Sequence, residues 1–293
     1  MYVTIHPTFT QGESVVKYNK TEIVSDVRRI KHPIARQVLI DHKLNGVEIV
    51  STGDIPSGTG LSTSSAYTVG LIHAVYAYEG KYCSQERIAR EACEMEIEKL
   101  GEPIGKQDQY GTAIGGLKMI KFLSDDTVEV EPVIIKGSVK RRLNNNLLLF
   151  YTGLTHSAGE ILKEQGEKVA EDGDVYQNLL KMTQLAYDMR EALTDGDLNE
   201  FGEILNANWE LKRSLTGNIS NDFIDEYYQI AIKNGALGGK LLGAGGGGFL
   251  LFYCPEEKQA RLRCALSDLV ELPFSMENSG TKIIYVGEKD WDK

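Results

Sequence analysis

No stretch of this 293-residue chain approaches the eighteen or more uncharged apolar residues of a membrane span. The opening MYVTIHPTF also lacks the basic and then apolar stretches of a secretory signal, so a cytoplasmic protein with no membrane partner is expected. Cysteine is scarce: Cys83, Cys93, Cys254 and Cys264 form no C-x-x-C pair, and the five histidines show no H-x-x-x-H or H-E-x-x-H spacing. That excludes a zinc site of ordinary pattern and leaves buried free thiols as the expectation. Positive charge is short as well, with 32 Lys and Arg against 42 Asp and Glu and a net charge of -10. Nucleic acid and anionic membranes need a basic face, so neither is expected as the main partner; a small anion held by local donors still fits.

What is there is a globular composition, 42% hydrophobic and 25% charged, long enough for one large domain or two ordinary ones. The first fifty residues (YVTIHPTF, ESVVKY, NGVEIVSTGDIP) alternate apolar and polar between turn residues and read as strands and turns. Helices follow: LSTSSAYTVGLIHAVYAYEG ends on a capping Gly80, and SQERIAREACEMEIEKLG opens at Ser84 and closes at Gly101. GGLKMIKFLSDDTVEVEPVII is strand-like, and NNNLLLFYTG predicts a buried strand that starts a second unit. From 174 the pattern is helical, with Leu179, Met182, Ala186, Met189 and Leu193 at helical spacing. NDFIDEYYQIAIKNGA repeats that signal before a glycine-rich strand pair. Two domains, 1–140 and 141–293, are expected, with a ligand between them by default.

Three constellations carry chemistry. PSGTGLSTSSA, residues 56–66, places bare backbone at Gly58 and Gly60 and then hydroxyls at Ser62, Thr63, Ser64 and Ser65 at the mouth of a helix. Free N–H groups and the positive end of the helix dipole make such a segment a phosphate cradle with a hydroxyl suited to Mg²⁺; the alternative is a capped turn before a core helix. The Walker pattern is absent, and Thr63 stands where a dinucleotide fingerprint needs its third glycine. In EMEIEKLGEPIGKQDQYG, a helix that buries Ile88, Ala92 and Met95 turns Glu96 toward a cleft and Glu94 and Glu98 outward. Asp108 follows in a glycine-rich segment, read as a functional loop or as a helix cap. Lastly, GALGGKLLGAGGGGFLLFY contains G-x-G-x-x-G from Gly243 to Gly248, but a strand-like FLLFY follows where a dinucleotide site needs a helix. Close backbone packing and direct ligand contact both remain open for it.

Together these segments resemble the GHMP kinases. Pro56, Gly60, Leu61, Ser64 and Ala66 match the family's second motif, Pro-x-x-x-Gly-Leu-x-Ser-Ser-x-Ala, while Ser62 and Thr63 depart from its usual Gly-Ser. GEPIGKQDQ resembles the galactokinase-type Gly-x-Pro-x-Gly-x-x-Asp-Gln segment, and Lys240, Gly243, Ala244, Gly245 and Gly246 fit the third motif, a glycine-rich hairpin under the phosphate loop. The resemblance implies an α+β fold of two domains: an N-terminal mixed sheet with helices and a C-terminal ferredoxin-like α/β sandwich with extra helices. It implies ATP and Mg²⁺ as cofactors, Asp108 as catalytic base in contact with substrate, and Glu96 with Ser64 as metal ligands. Pro56, Gly58, Gly60, Leu61, Ser62, Thr63, Ser64 and Ser65 and then Gly243, Ala244, Gly245 and Gly246 would surround the nucleotide.

Within the family, GKQDQY, WELKRSL and GGKLLGAGGGGF are similar to segments of the branch acting on D-glycero-D-manno-heptose 7-phosphate. That implies phosphorylation of the anomeric hydroxyl, with Trp209, Lys212 and Arg213 at the sugar phosphate. An amphipathic helix with Trp inside and Lys and Arg outside is the structural alternative for those three. Other sugars (galactose, fucose, a uronic acid) and a non-catalytic ligand sensor are the functional alternatives. The protein is expected as a monomer or homodimer. The family's first motif, Arg-x-Pro-x-Arg-x-x-x-Gly-Gly-Gly-Thr-Asp, has no counterpart here, so the chain is expected to start about forty residues late and to leave an open sheet edge.

Overall fold

The alternating residues at the start of the chain form a mixed four-stranded sheet. Strands β1 (Tyr2–Pro7), β2 (Ser14–Lys17), β3 (Thr21–Val24) and β4 (Val47–Thr52) lie in the order β1-β4-β2-β3. β4 pairs antiparallel with β1 and parallel with β2, and β3 is antiparallel to β2. Ser14, Val16, Val47 and Ile49 point to the covered face, the period-two pattern of a sheet packed on one side. The computed structural model describes residues 1–10, 12–155 and 158–287.

Helix α1 (Pro33–Asp41) is a correction to the reading of the first fifty residues as strands and turns alone. Pro33 occupies the first helical position, where a missing N–H costs nothing, and the His32 ring caps the Ala35 N–H. Ile34, Ala35, Val38 and Leu39 then form its buried stripe. α2 (Thr63–Tyr78) buries residues on nearly every face, as a central helix does, and Gly80 follows it with φ +72°. α3 (Gln85–Cys93) opens at Ser84, whose Oγ accepts the Arg87 N–H, and passes into a π-helical turn over Glu94–Lys99. α4 (Gln107–Ile114) completes the helices of the first unit, which comprises Met1–Pro56, Ser62–Gly116 and the segment from Glu277.

The second unit comprises Ser57–Leu61 and Leu117–Met276. It opens with a hairpin, β5 (Lys118–Phe122) and β6 (Val128–Pro132), followed by α5 (Gly137–Asn146) and β7 (Leu147–Tyr151). Four helices follow: α6 (Ala158–Glu171), α7 (Gly173–Asp195), α8 (Leu198–Arg213) and α9 (Asp222–Lys233). The chain ends this unit with β8 (Gly238–Leu241), β9 (Phe249–Tyr253), α10 (Gln259–Ala265) and β10 (Val270–Glu271). The antiparallel sheet has the order β10-β7-β9-β8, which is the ferredoxin-like arrangement 4-1-3-2 with the helices of α6–α9 filling the first crossover. Successive residues of β9 serve different cores. Phe252 packs with Phe150, Trp209, Tyr228 and Leu241, and Tyr253 packs with Val139, Leu143, Leu193 and Phe201.

The units divide at Gly116/Leu117 rather than near 140. The reason is side-chain packing: Leu117, Val133, Ile135, Val139 and Leu143 all join the cluster of Leu193, Leu198 and Tyr253, so the hairpin and α5 belong with the second core. All four cysteines are free; Cys83, Cys93 and Cys254 are buried, whereas Cys264 is exposed and departs from that expectation. Among the described residues no helix is long and apolar enough to cross a membrane.

Candidate active site

Glu96 is the centre of the first unit's polar cluster. It is 1% exposed, yet it carries a carboxylate, so it must be paid for by donors. Ser64 Oγ donates to Oε1 at 2.6 Å, Ser65 Oγ to Oε2 at 2.9 Å, and Gln109 Nε2 to Oε2 at 2.6 Å. Two of these donors sit in the first turn of α2 and one in the first turn of α4. The π-helical turn presents the acceptor: Glu96 is buried within it while Glu98 is exposed and Glu94 lies beside Arg90. Such single turns of wider helix recur at functional sites because they re-aim one side chain.

Asp108 is the second residue of α4, and the cap position belongs to Lys106, so Asp108 is not the helix cap that one reading of the sequence allowed. A carboxylate in the first turn is favoured by the helix dipole. Its backbone carbonyl accepts Thr112 Oγ1 at 2.6 Å, and its neighbour Gln109 is the residue bound to Glu96. Gln109 is fully buried, and its Oε1 has no hydrogen-bond partner among the described residues. The sequence reading did not single out Gln109 as a site residue. Its signal was its place beside Asp108 as the last residue of the Gly-x-Pro-x-Gly-x-x-Asp-Gln segment; its contact with Glu96 depends on α4 approaching the end of α3.

The loop from Pro56 to Ser62 enters α2 through an unusual backbone. Ser62 takes φ 52° and ψ 32°, the left-handed region, and its side chain caps nothing. Thr63 Oγ1 reaches the Pro56 carbonyl at 3.5 Å.

In the second unit, Gly60 lies directly against the turn between β8 and β9. A Cβ on Gly60 would fall 2.5 Å from the Leu242 carbonyl oxygen, and one on Gly243 would fall 2.5 Å from the Gly60 Cα. Both glycines have positive φ. The third constellation is thus a tight β-hairpin whose backbone packs on the loop, the packing alternative read from its composition; Gly246 N–H adds a bond to the Ile219 carbonyl at 2.9 Å. β9 follows Gly248 directly, as expected for something other than a dinucleotide site.

The α8 residues separate. Trp209 is fully buried against Tyr228 in the core, so it cannot touch a sugar, and the amphipathic alternative holds for it. Lys212 Nζ donates to the Gly243 carbonyl at the hairpin turn. Arg213 pairs with Asp225 at 3.2 Å and Glu210 at 3.3 Å. On β8, Lys240 Nζ donates to Asn208 Oδ1 at 3.4 Å, and burial pushes its ammonium pKa down.

A divalent cation is a chemical fit for Ser64 and Glu96. Both supply hard oxygen, and Ser64, exposed and with its proton turned to Glu96, keeps its lone pairs outward. No group of three or more His, Cys, Asp or Glu suited to a metal occurs among the described residues. A cation held here therefore takes most of its ligands from water and substrate phosphate, the habit of Mg²⁺.

A family model described as GHMP kinases N terminal domain matches residues 27–116, and one described as GHMP kinases C terminal matches 189–271. Over 238 residues the chain is 34% identical to the D-glycero-alpha-D-manno-heptose 7-phosphate kinase of Campylobacter jejuni, covering 81% of this chain and 68% of that protein. The chain belongs to the GHMP kinase family. It is accordingly an ATP-dependent phosphotransferase, and its sequence relatives include sugar kinases. One is the bifunctional fucokinase/GDP-fucose pyrophosphorylase of Arabidopsis thaliana, 29% identical over 237 residues, which span 80% of this GHMP kinase and 22% of that longer protein. The fold also matches the crystal structure of a D-glycero-D-manno-heptose 1-phosphate kinase from Bacteroides thetaiotaomicron, with a TM-score of 0.73 at 24% identity over 97% of this chain and 87% of that one.

Proposed function

We propose that this GHMP kinase transfers the γ-phosphoryl group of ATP to the anomeric hydroxyl of D-glycero-D-manno-heptose 7-phosphate, giving the 1,7-bisphosphate and ADP. The observation that carries the proposal is the buried Glu96, which accepts one donor on Oε1, from Ser64, and two on Oε2, from Ser65 and Gln109, with Asp108 next to Gln109 at the start of α4. A carboxylate locked by three donors and a second one at a neighbouring position give two carboxylates with different tasks.

Phosphoryl transfer is mostly positioning and charge neutralisation. Backbone N–H groups from Gly58 to Ser65 take the nucleotide phosphates, with the hairpin at Gly243–Gly246 holding the loop's shape. Ser64 and Glu96 would hold Mg²⁺, which would supply neutralisation of phosphate charge. Asp108 orients the acceptor hydroxyl and takes its proton as the new P–O bond forms. Lys212, next to Arg213 on α8, contributes positive charge toward the phosphate already on the sugar. An ATP-consuming enzyme of sugar phosphates is assigned to the cytoplasm.

The relative acting on fucose makes another sugar the second reading. ADP release with Mg-ATP across heptose 7-phosphate, fucose, galactose and a uronic acid tests both. Turnover restricted to the heptose phosphate supports the proposal, and turnover on an unphosphorylated sugar overturns its substrate. In the same assay Asp108→Asn should retain nucleotide binding and lose about a hundredfold or more in kcat, the range for a positioned general base. Unchanged kcat would remove Asp108 from the chemistry.

A further inference from the structure

Thr281 bonds with each of its three polar groups to a different helix of the first unit. Its N–H donates to the Ala113 carbonyl near the end of α4 at 2.9 Å. Its carbonyl accepts Gln85 Nε2, from the first residue of α3, at 3.0 Å. Its Oγ1 is 2.9 Å from His73 Nδ1 on α2, a contact 208 residues apart in the chain. These are the three helices that deliver the Glu96 cluster: α2 carries Ser64 and Ser65, α3 leads through the π-helical turn to Glu96, and α4 carries Asp108 and Gln109.

The preceding residue makes the seat specific. A Cβ on Gly280 would collide with the Ala113 carbonyl, and one on Gly115, which ends α4 at φ +63°, would collide with the Gly280 backbone. Two glycines therefore cross in contact, and no other residue pair allows the segment to lie so close to the end of α4. α4 has only eight residues, about 12 Å, so fixing Ala113 fixes the turn that holds Asp108 and Gln109.

We infer that Thr281, seated by Gly280, is a positioning residue for the reaction: it ties α2, α3 and α4 together and so sets the geometry of Glu96, Gln109 and Asp108. Thr281 itself touches none of these three. The inference rests on the phosphotransfer proposed above for its kinetic consequence, but its structural consequence stands separately. Glu96 accepts donors from two helices within 2.9 Å, and displacement of either helix by about an ångström takes its bonds out of range.

The test compares Thr281→Val, which removes the hydroxyl at nearly constant shape, with Thr281→Ser, which keeps it, and Gly280→Ala, which unseats the segment. Full-length variants are measured for kcat and KM, for the Mg²⁺ concentration giving half-maximal rate, and for hydrogen exchange of the α4 amides. Thr281→Val should lower kcat about fivefold, the worth of one hydrogen bond, raise the Mg²⁺ requirement, and leave KM for ATP within about twofold. Thr281→Ser should restore the wild-type values, and Gly280→Ala should speed α4 exchange most. Unchanged kcat and Mg²⁺ requirement in Thr281→Val, or a loss that Thr281→Ser shares, overturns the inference. Should the wild-type chain turn over no sugar, the proposed function falls while the inference is judged by exchange alone: α4 protection in Gly280→Ala equal to wild type overturns it, and loss of α4 protection in Gly280→Ala with retention in Thr281→Ser supports it.

Discussion

At the scale of single residues, Ser62 shows how the loop departs from its family's pattern. The position usually filled by glycine holds a serine in the left-handed region, with no side-chain bond to offset the conformation. A non-glycine residue there costs about 1–2 kcal/mol, and glycine costs about 0.5–1 kcal/mol in unfolded-chain entropy. Ser62→Gly should therefore raise stability by about 0.5–1 kcal/mol, read as a higher urea midpoint at constant slope. A lower midpoint would mean that the serine makes a contact worth more than the strain. Legibility at this scale was uneven. Glu96 could be picked from Glu94 and Glu98 because a 3.6-residue period places it on the flank of the buried stripe. Gln109 could not, since its partner lies on another helix. Trp209 was ambiguous until its burial decided for the core over the sugar.

Elements were read well where one period ruled and poorly where packing chose between options. The strands β1, β2, β4 and β7, the caps at Ser84 and Gly80 and the helical run from α7 to α9 follow from spacing alone. α1 was hidden in a stretch dominated by alternating residues, the π-helical turn leaves no compositional mark, and the unit boundary depends on which core Val139 and Leu143 join. The glycine hairpin was legible as close packing but not as to what it packs on. Its contact with Gly60 is backbone on backbone, which cannot yield as a side chain can. Gly60→Ala should thus destabilise by about 1–3 kcal/mol, as overpacking does, and weaken ATP binding with it. Gly243→Ala should cost a similar amount through the same contact. Because one separation relieves both clashes, the double variant should lose less than the sum of the two. Strict additivity in melting experiments would show that the two glycines do not share a contact.

At the scale of the whole molecule, buried and paired ionisable groups set the pH range of the fold. Burial lowers His32 and His73 below their ordinary 6.5, so the unfolded chain binds protons more readily than the folded one as pH drops past that value, and stability begins to fall. The carboxylates add a second, lower stage. Arg28 holds Asp26 at about 2, Lys17 lowers Glu48, and at Glu22 burial is outweighed by the N–H groups of Lys31 and His32 and the Tyr18 hydroxyl. Their stabilisation is present above the unfolded carboxylate pKa and disappears as pH falls through the folded one. On the alkaline side the sign reverses. Burial pushes Cys93 up to about 12 and Cys254 up to about 11 from an ordinary 9.0, so above 9.0 the unfolded thiols ionise first and folding loses free energy. Melting temperature plotted against pH should therefore form a plateau from about 6.5 to about 9, with a stepped acid limb and an alkaline decline. Replacing both buried thiols, Cys93→Ala with Cys254→Ala, should make the alkaline limb shallower, the part owed to the raised Cys83, Tyr67 and Tyr228 remaining, and leave the acid limb in place. A maximum on the acid side of the plateau, or an alkaline limb unmoved by the double variant, would mean that groups other than these thiols and histidines govern the curve.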